Sequence, residues 1–155
     1  MSRREQIKMT PAEVRAYLEA GRAANVATIG PNGRPHLVPV FYILDGDDGI
    51  ATWTYGSSQK VANLRRLAQA TVLVESGVAY EELAGVSMEC DVTIIEDTDE
   101  ITRIGTELLA RMAGSPDVVT SAGQFIRVQA EKRVGLVFQP TKVVSWDHRK
   151  LGGTY

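Results

Sequence analysis

Short apolar runs separated by turn residues dominate the chain, and helical spacing of apolar positions recurs in only a few segments. Thr10-Pro11-Ala12-Glu13 opens a helix: Thr10 caps it, Pro11 suits its first position, and Glu13 completes a capping box. Val14, Tyr17 and Leu18 form the apolar stripe, and Gly21 stops it. Asn25–Ile29 and His36–Leu44 read as strands, joined through Gly30-Pro31-Asn32-Gly33 into a hairpin. Pro39 inside the second run predicts an edge or a bulge.

Asp45–Gly49 is a further turn, and Ile50–Tyr55 is a third strand. Gly56-Ser57-Ser58 then opens a short helix reaching about Leu67. Thr71–Glu75 and the longer Val86–Glu96 are strands. Asp97-Thr98-Asp99-Glu100 caps a helix carrying Ile101, Ile104, Leu108 and Met112, which ends at Gly114. The pattern leaves 114–123 as a loop, makes 124–132 a short helix, and closes with strands 134–139 and 142–146 around Pro140. The strands follow one another as hairpin-like pairs without βαβ alternation. The fold class this predicts is mainly β (α+β): an antiparallel barrel with peripheral helices. It is expected as one domain over residues 1–155, with 1–9 and 151–155 as flexible ends.

Composition narrows the function classes. Seventeen basic residues oppose 19 acidic ones, a formal charge of −2 in 155 residues. No global field attracts nucleic acid, so no nucleic-acid partner is expected. The apolar runs fall short of the ~20 residues of a membrane helix, so no membrane partner is expected either. The single cysteine, Cys90, excludes an internal disulfide and suits a cytoplasmic location. It reads as a small buried hydrophobe. His36 and His148 stand outside any metal-ligand spacing, so no metal is expected. Asp45–Gly49 resembles the start of a calcium loop but carries glycine at the fifth position and lacks the closing glutamate.

The chemistry concentrates at Gly56-Ser57-Ser58-Gln59-Lys60, where a strand hands over to a helix. The first amides of a helix have no internal acceptor, and its dipole favours an anion there. Ser57 and Ser58 add hydroxyls, Lys60 adds charge, and helical spacing sets Asn63 near Lys60. Two readings fit: a phosphate cradle, or a plain serine cap with solvated cations. Ser57-x-x-Lys60 also matches a serine–lysine acyl-transfer pattern, but the Ser-Asp-Asn and Lys-Thr-Gly partners of that pattern are missing. The ending Ser145-Trp146-Asp147-His148-Arg149-Lys150 sets an aromatic beside cations, which suits a planar anionic ligand, a subunit interface or a basic tail. No acid–base pair or nucleophilic triad is visible, so no catalytic side chain is assigned. A bound cofactor would carry the chemistry, and a pure binding protein would look the same.

These segments carry a resemblance. The turn Gly30–Pro35, the strand His36–Tyr42, the strand Ala51–Thr54 and Ser57–Arg66 resemble the pyridoxamine-phosphate-oxidase-like split β-barrels. The ending 145–151 resembles their deazaflavin branch, the flavin/deazaflavin oxidoreductases of the B class. The resemblance implies a homodimer with cofactor sites between subunits. It implies coenzyme F420, or alternatively FMN, and hydride transfer to or from a small-molecule substrate. Val38, Pro39 and Val40 would lie along the ring, with Trp53 and Thr54 beside the ring or ribityl chain. Ser58, Gln59, Lys60 and Asn63 would hold the phosphate, with Trp146 and Arg149 reaching in from the tail of either subunit. Coenzyme F420 also carries an acidic glutamyl tail, which Lys60, Arg65, Arg66, Arg149 and Lys150 would meet. The family's basic Arg-x-x-x-Leu-Lys strand is absent: Pro35–Val40 has neither Arg nor Lys there, which departs from the FMN pattern.

Overall fold

The computed structural model describes residues 1–153. Its core is one seven-stranded antiparallel sheet: β1 (Ala23–Ile29), β2 (Pro35–Phe41), β3 (Ile43–Asp45), β4 (Gly49–Tyr55), β5 (Gln69–Ser76), β6 (Ala84–Ile95) and β7 (Arg133–Asp147). Five α-helices flank it: α1 (Arg3–Ile7), α2 (Pro11–Ala20), α3 (Gln59–Arg66), α4 (Thr98–Ala113) and α5 (Asp117–Ala130). The strand order is β2-β1-β5-β6-β7-β4-β3. The two edge strands, β2 and β3, are consecutive and separated only by Tyr42, so the sheet must curl until its edges meet. The result is a split half-barrel, as the pattern predicts.

The predicted strand His36–Leu44 is broken at Tyr42. That side chain is fully buried, and its hydroxyl donates to the Leu18 carbonyl at 2.6 Å. Anchoring the ring inward turns the chain from one sheet edge to the other. Thr52 Oγ1 donates to the Phe41 carbonyl at 2.6 Å, which ties the end of β2 to β4 across the split.

Valines and leucines from β1, β5, β6 and β7 fill the barrel interior. A second, smaller core lies outside it. There Ile104 and Leu108 of α4 pack on Ile43 of β3 and Ala51 of β4, with Trp53 and Val137 against them. Covering on both faces explains why β4 is buried from Gly49 to Thr52 without alternation.

Two predicted boundaries change. The loop expected at 114–123 is mostly α5, which begins at Asp117 and buries only Ile126 and Ala130. The two closing strands are one strand, β7. Glu89 pairs with Lys142 and Cys90 with Pro140, so Thr141 is the extra residue of a bulge. A bulge tolerates the missing proline N–H, so Pro140 bends the strand without ending it. The segment 1–9, expected as a loose end, holds α1 under a Ser2–Glu5 capping box, and Met9 is buried. At the other end, His148–Leu151 form a 3-10 turn, and residues 154–155 lie outside the described residues. No helix among the described residues is long and apolar enough to cross a membrane.

Candidate cofactor site

At the rim of the barrel, β2, β4, α3 and α4 enclose an open groove of about 270 Å³. Of the residues singled out from sequence, the structure brings Pro39, Val40, Trp53, Thr54 and Lys60 to this groove. Val38, half-buried, belongs to the same strand. Phe41, Thr52, Tyr55, Leu108, Met112 and Arg133 complete the walls and were not singled out as site residues. The missing signal for Arg133 is strand register: it stands opposite Tyr55 only because β7 pairs with β4.

Arg133 organises the aromatic wall. Its guanidinium lies 4.5 Å from the Trp53 ring centroid and 4.2 Å from that of Tyr55. Two bonds to Gln129 at the end of α5, 2.6 Å to Oε1 and 3.0 Å to the carbonyl, hold it there. The six-membered ring of Trp53 also lies against Gly105 of α4, where a Cβ would overlap it. A cation and a helix backbone thus both hold the aromatic in place.

Helix geometry explains Lys60. Val61, Asn63 and Leu64 are the buried positions of α3, and Lys60 falls within the arc they define, one turn nearer the N-terminus. Its side chain is half-buried and points along the groove. Burial lowers its pKa, and among the described residues no carboxylate pairs with it. Ser58, the N-cap of α3, makes no side-chain cap bond, and its buried Oγ has no partner. A partly desolvated cation, an unpartnered hydroxyl and the first amides of a helix thus fall within Ser58–Lys60.

Asn63 departs from the expectation. It is 0% exposed, accepts from Gln59 Nε2 at 2.9 Å and donates to Thr28 Oγ1 at 3.0 Å. Its amide is spent on joining α3 to β1. Gln59 is exposed but committed to the same chain of bonds. Trp146 lies over Gly85 across β6 and β7, away from the groove. Arg149 chelates its own Asp147 at 2.7 and 2.8 Å and lines a separate cleft with Met9, Tyr17 and Arg22. The other cations offered for an acidic tail are engaged too: Arg65 with Glu96 at 2.8 Å, Arg66 with the Ile29 carbonyl, and Lys150 with Glu13 at 2.7 Å.

Comparison with known proteins decides the family. The profile described as pyridoxamine 5'-phosphate oxidase matches residues 10–147. The chain belongs to that family. Its structure is similar to that of a conserved hypothetical protein from Mycobacterium tuberculosis, with a TM-score of 0.90 and 34% identity over 100% of this chain and 95% of the other. An F420 reductase shares the fold at a TM-score of 0.65 and 19% identity, over 83% of this chain and 94% of that one. So does a FAD-binding protein from Mesorhizobium loti, at 0.63 and 15%, over 89% and 94%. No curated protein matches the chain. Family membership thus gives an oxidoreductase-like barrel whose structural neighbours include cofactor-binding proteins.

Proposed function

We propose that this family member is a coenzyme F420-dependent oxidoreductase, moving a hydride between the deazaflavin and a small organic acceptor. Lys60 carries the reading. A half-buried ammonium without a counter-charge, beside the unpartnered Ser58 hydroxyl, is unfavourable until an anion arrives. One phosphate ester would satisfy both groups, together with the first amides of α3. The groove above it is walled by Val40, Pro39 and Trp53, which suit a flat ring.

The bound deazaflavin supplies the hydride chemistry from its ring carbon. The chain's part is to bind the phosphate at Lys60, hold the ring against Trp53 and exclude water with Phe41 and Met112. No acid–base side chain is required in the groove. The choice of deazaflavin over FMN rests on β2, where Pro35–Val40 has neither the Arg nor the Lys of the flavin pattern. An F420 reductase on the same fold supports it. FMN in the same groove is the alternative, which the FAD-binding neighbour favours. A protein that only binds the cofactor would present the same walls.

A groove of about 270 Å³ holds only part of such a ligand, and a second copy of the chain would complete it. The outward face of edge strand β2 is apolar and uncovered, with Leu37 65% and Phe41 49% exposed. Trp146 and Arg149 would then approach the groove from the second subunit. The test is turnover. Chemically reduced coenzyme F420 and the protein are mixed with quinones, enones and other activated acceptors, and the deazaflavin absorbance is followed. Protein-dependent reoxidation by at least one acceptor is expected. Tight binding without turnover across the panel would leave a binding protein.

A further inference from the structure

Two cations line the groove, Lys60 and Arg133, and among the described residues no carboxylate does. Lys60, at the start of α3, meets the cofactor phosphate in the proposed function. Arg133 has no part in that contact, although four interactions fix it. It is half-buried at the first position of β7, opposite Tyr55 of β4. Its guanidinium lies over the Trp53 and Tyr55 rings and donates twice to Gln129. All of these partners are neutral, and among the described residues Arg133 forms no ion pair. The ring faces and the carbonyl end of α5 ease its burial, but they leave its charge without a counter-charge.

Both bonds to Gln129 leave from Nη1. Nε and Nη2 make no hydrogen bond among the described residues, and neither atom is buried. These two nitrogens form one edge of the guanidinium plane. Their parallel N–H bonds match the two oxygens of a carboxylate. Because the side chain is already held, little rotamer freedom is left to lose on binding. Place separates this edge from the phosphate. Arg133 contacts Trp53, against which the cofactor ring is proposed to lie, whereas Lys60 stands on another element. An anion at Arg133 therefore belongs to a molecule that meets the ring. Phe41 and Tyr55, 49% and 51% exposed, offer that molecule aromatic surface in the same groove.

We infer that Arg133 sets acceptor specificity by pairing with a carboxylate, so that the substrate class is a planar, conjugated organic acid. This rests on the reading of the groove as the cofactor site and deepens it. Arg133 binds the acid group and orients the conjugated body beside Trp53. A neutral molecule of the same shape leaves the guanidinium without a partner and binds more weakly.

Calorimetric titrations test this on wild type, Arg133→Met and Arg133→Lys, each loaded with coenzyme F420. The probes are benzoate, cinnamate and 2-naphthoate, each beside its primary amide, which keeps the shape and removes the charge. Expected in wild type is a preference of about tenfold for at least one acid over its amide. In Arg133→Met the acid falls to the affinity of the amide while the amide is unaffected. Arg133→Lys, which keeps the charge without the fork, retains part of the preference. Equal affinity for acid and amide in every wild-type pair overturns the inference, and that outcome needs no variant to fold. A preference that survives in Arg133→Met overturns it too, as does an equal loss of acid and amide. An acid that binds only in the absence of coenzyme F420 occupies the cofactor's own place and likewise overturns it. Failure of wild type to bind coenzyme F420 is read separately: it removes the cofactor site and with it the role of the acid as acceptor.

Discussion

Lys60 and Asn63 are three residues apart on one short helix, yet one lines the groove and the other is bonded within the fold. The apolar positions Val61 and Leu64 fix which side of α3 meets the barrel, and both polar residues fall within that side. Asn63 reaches Thr28 on β1, whereas Lys60, nearer the open end, meets only the groove. Sequence shows the spacing; it does not show that Thr28, 35 positions away, waits for an amide. Replacing Asn63 with alanine leaves Thr28 and Gln59 without their partner and is expected to destabilise the fold by about 2 kcal/mol in denaturant unfolding. No loss would mean that the Gln59–Asn63–Thr28 chain is not structural.

At the scale of elements, local rules carried the capped helices and the hairpin, because their signals lie within a few residues. The Thr10–Glu13 box forms as read, with Thr10 N–H donating to Glu13 Oε2 at 2.6 Å. Asp97 caps α4, and Gly114 ends it at a φ of 67°. Long-range partners decided what local rules could not. Tyr42 breaks a strand because the Leu18 carbonyl is its acceptor, and Pro140 stays in a strand because β6 accommodates a bulge. The C-terminal end of α2 shows the same dependence. Its last carbonyls, Leu18 at 3.0 Å and Glu19 at 2.8 Å, together with that of Gly21, accept from Arg111 of α4. This guanidinium also lies 5.2 Å from the Tyr42 ring centroid. A cation at a helix C-terminus complements the dipole and satisfies its open carbonyls. Arg111→Met keeps the length and removes the donors, so it should cost about 1–3 kcal/mol of stability. An unchanged unfolding midpoint would contradict that role.

The whole molecule adds two properties that no single segment carries. Burial pushes both the Tyr42 hydroxyl and the Cys90 thiol up to about 12. The unfolded chain loses those protons nearer the ordinary values of roughly 10 and 8.5. Folded protein therefore holds protons that the unfolded chain has released, and stability should fall as pH rises from about 9 toward 12. Thermal midpoints across that range check the sign; a flat profile would deny that the two groups are buried protonated. The second concerns the proposed assembly. If a second copy covers the apolar face of β2, Phe41→Asp should shift the sedimenting species from dimer to monomer and weaken cofactor binding together. A wild-type monomer would place the second wall of the groove elsewhere.

If Lys60 receives the cofactor phosphate, side-by-side titration of coenzyme F420 and FMN against wild type and Lys60→Ala will show it. Wild type is expected to bind the deazaflavin more tightly than FMN. Lys60→Ala is expected to lose about tenfold or more in affinity, with an unchanged unfolding midpoint. Equal affinity in the variant would contradict the phosphate assignment, and binding of neither ligand by wild type would contradict the function.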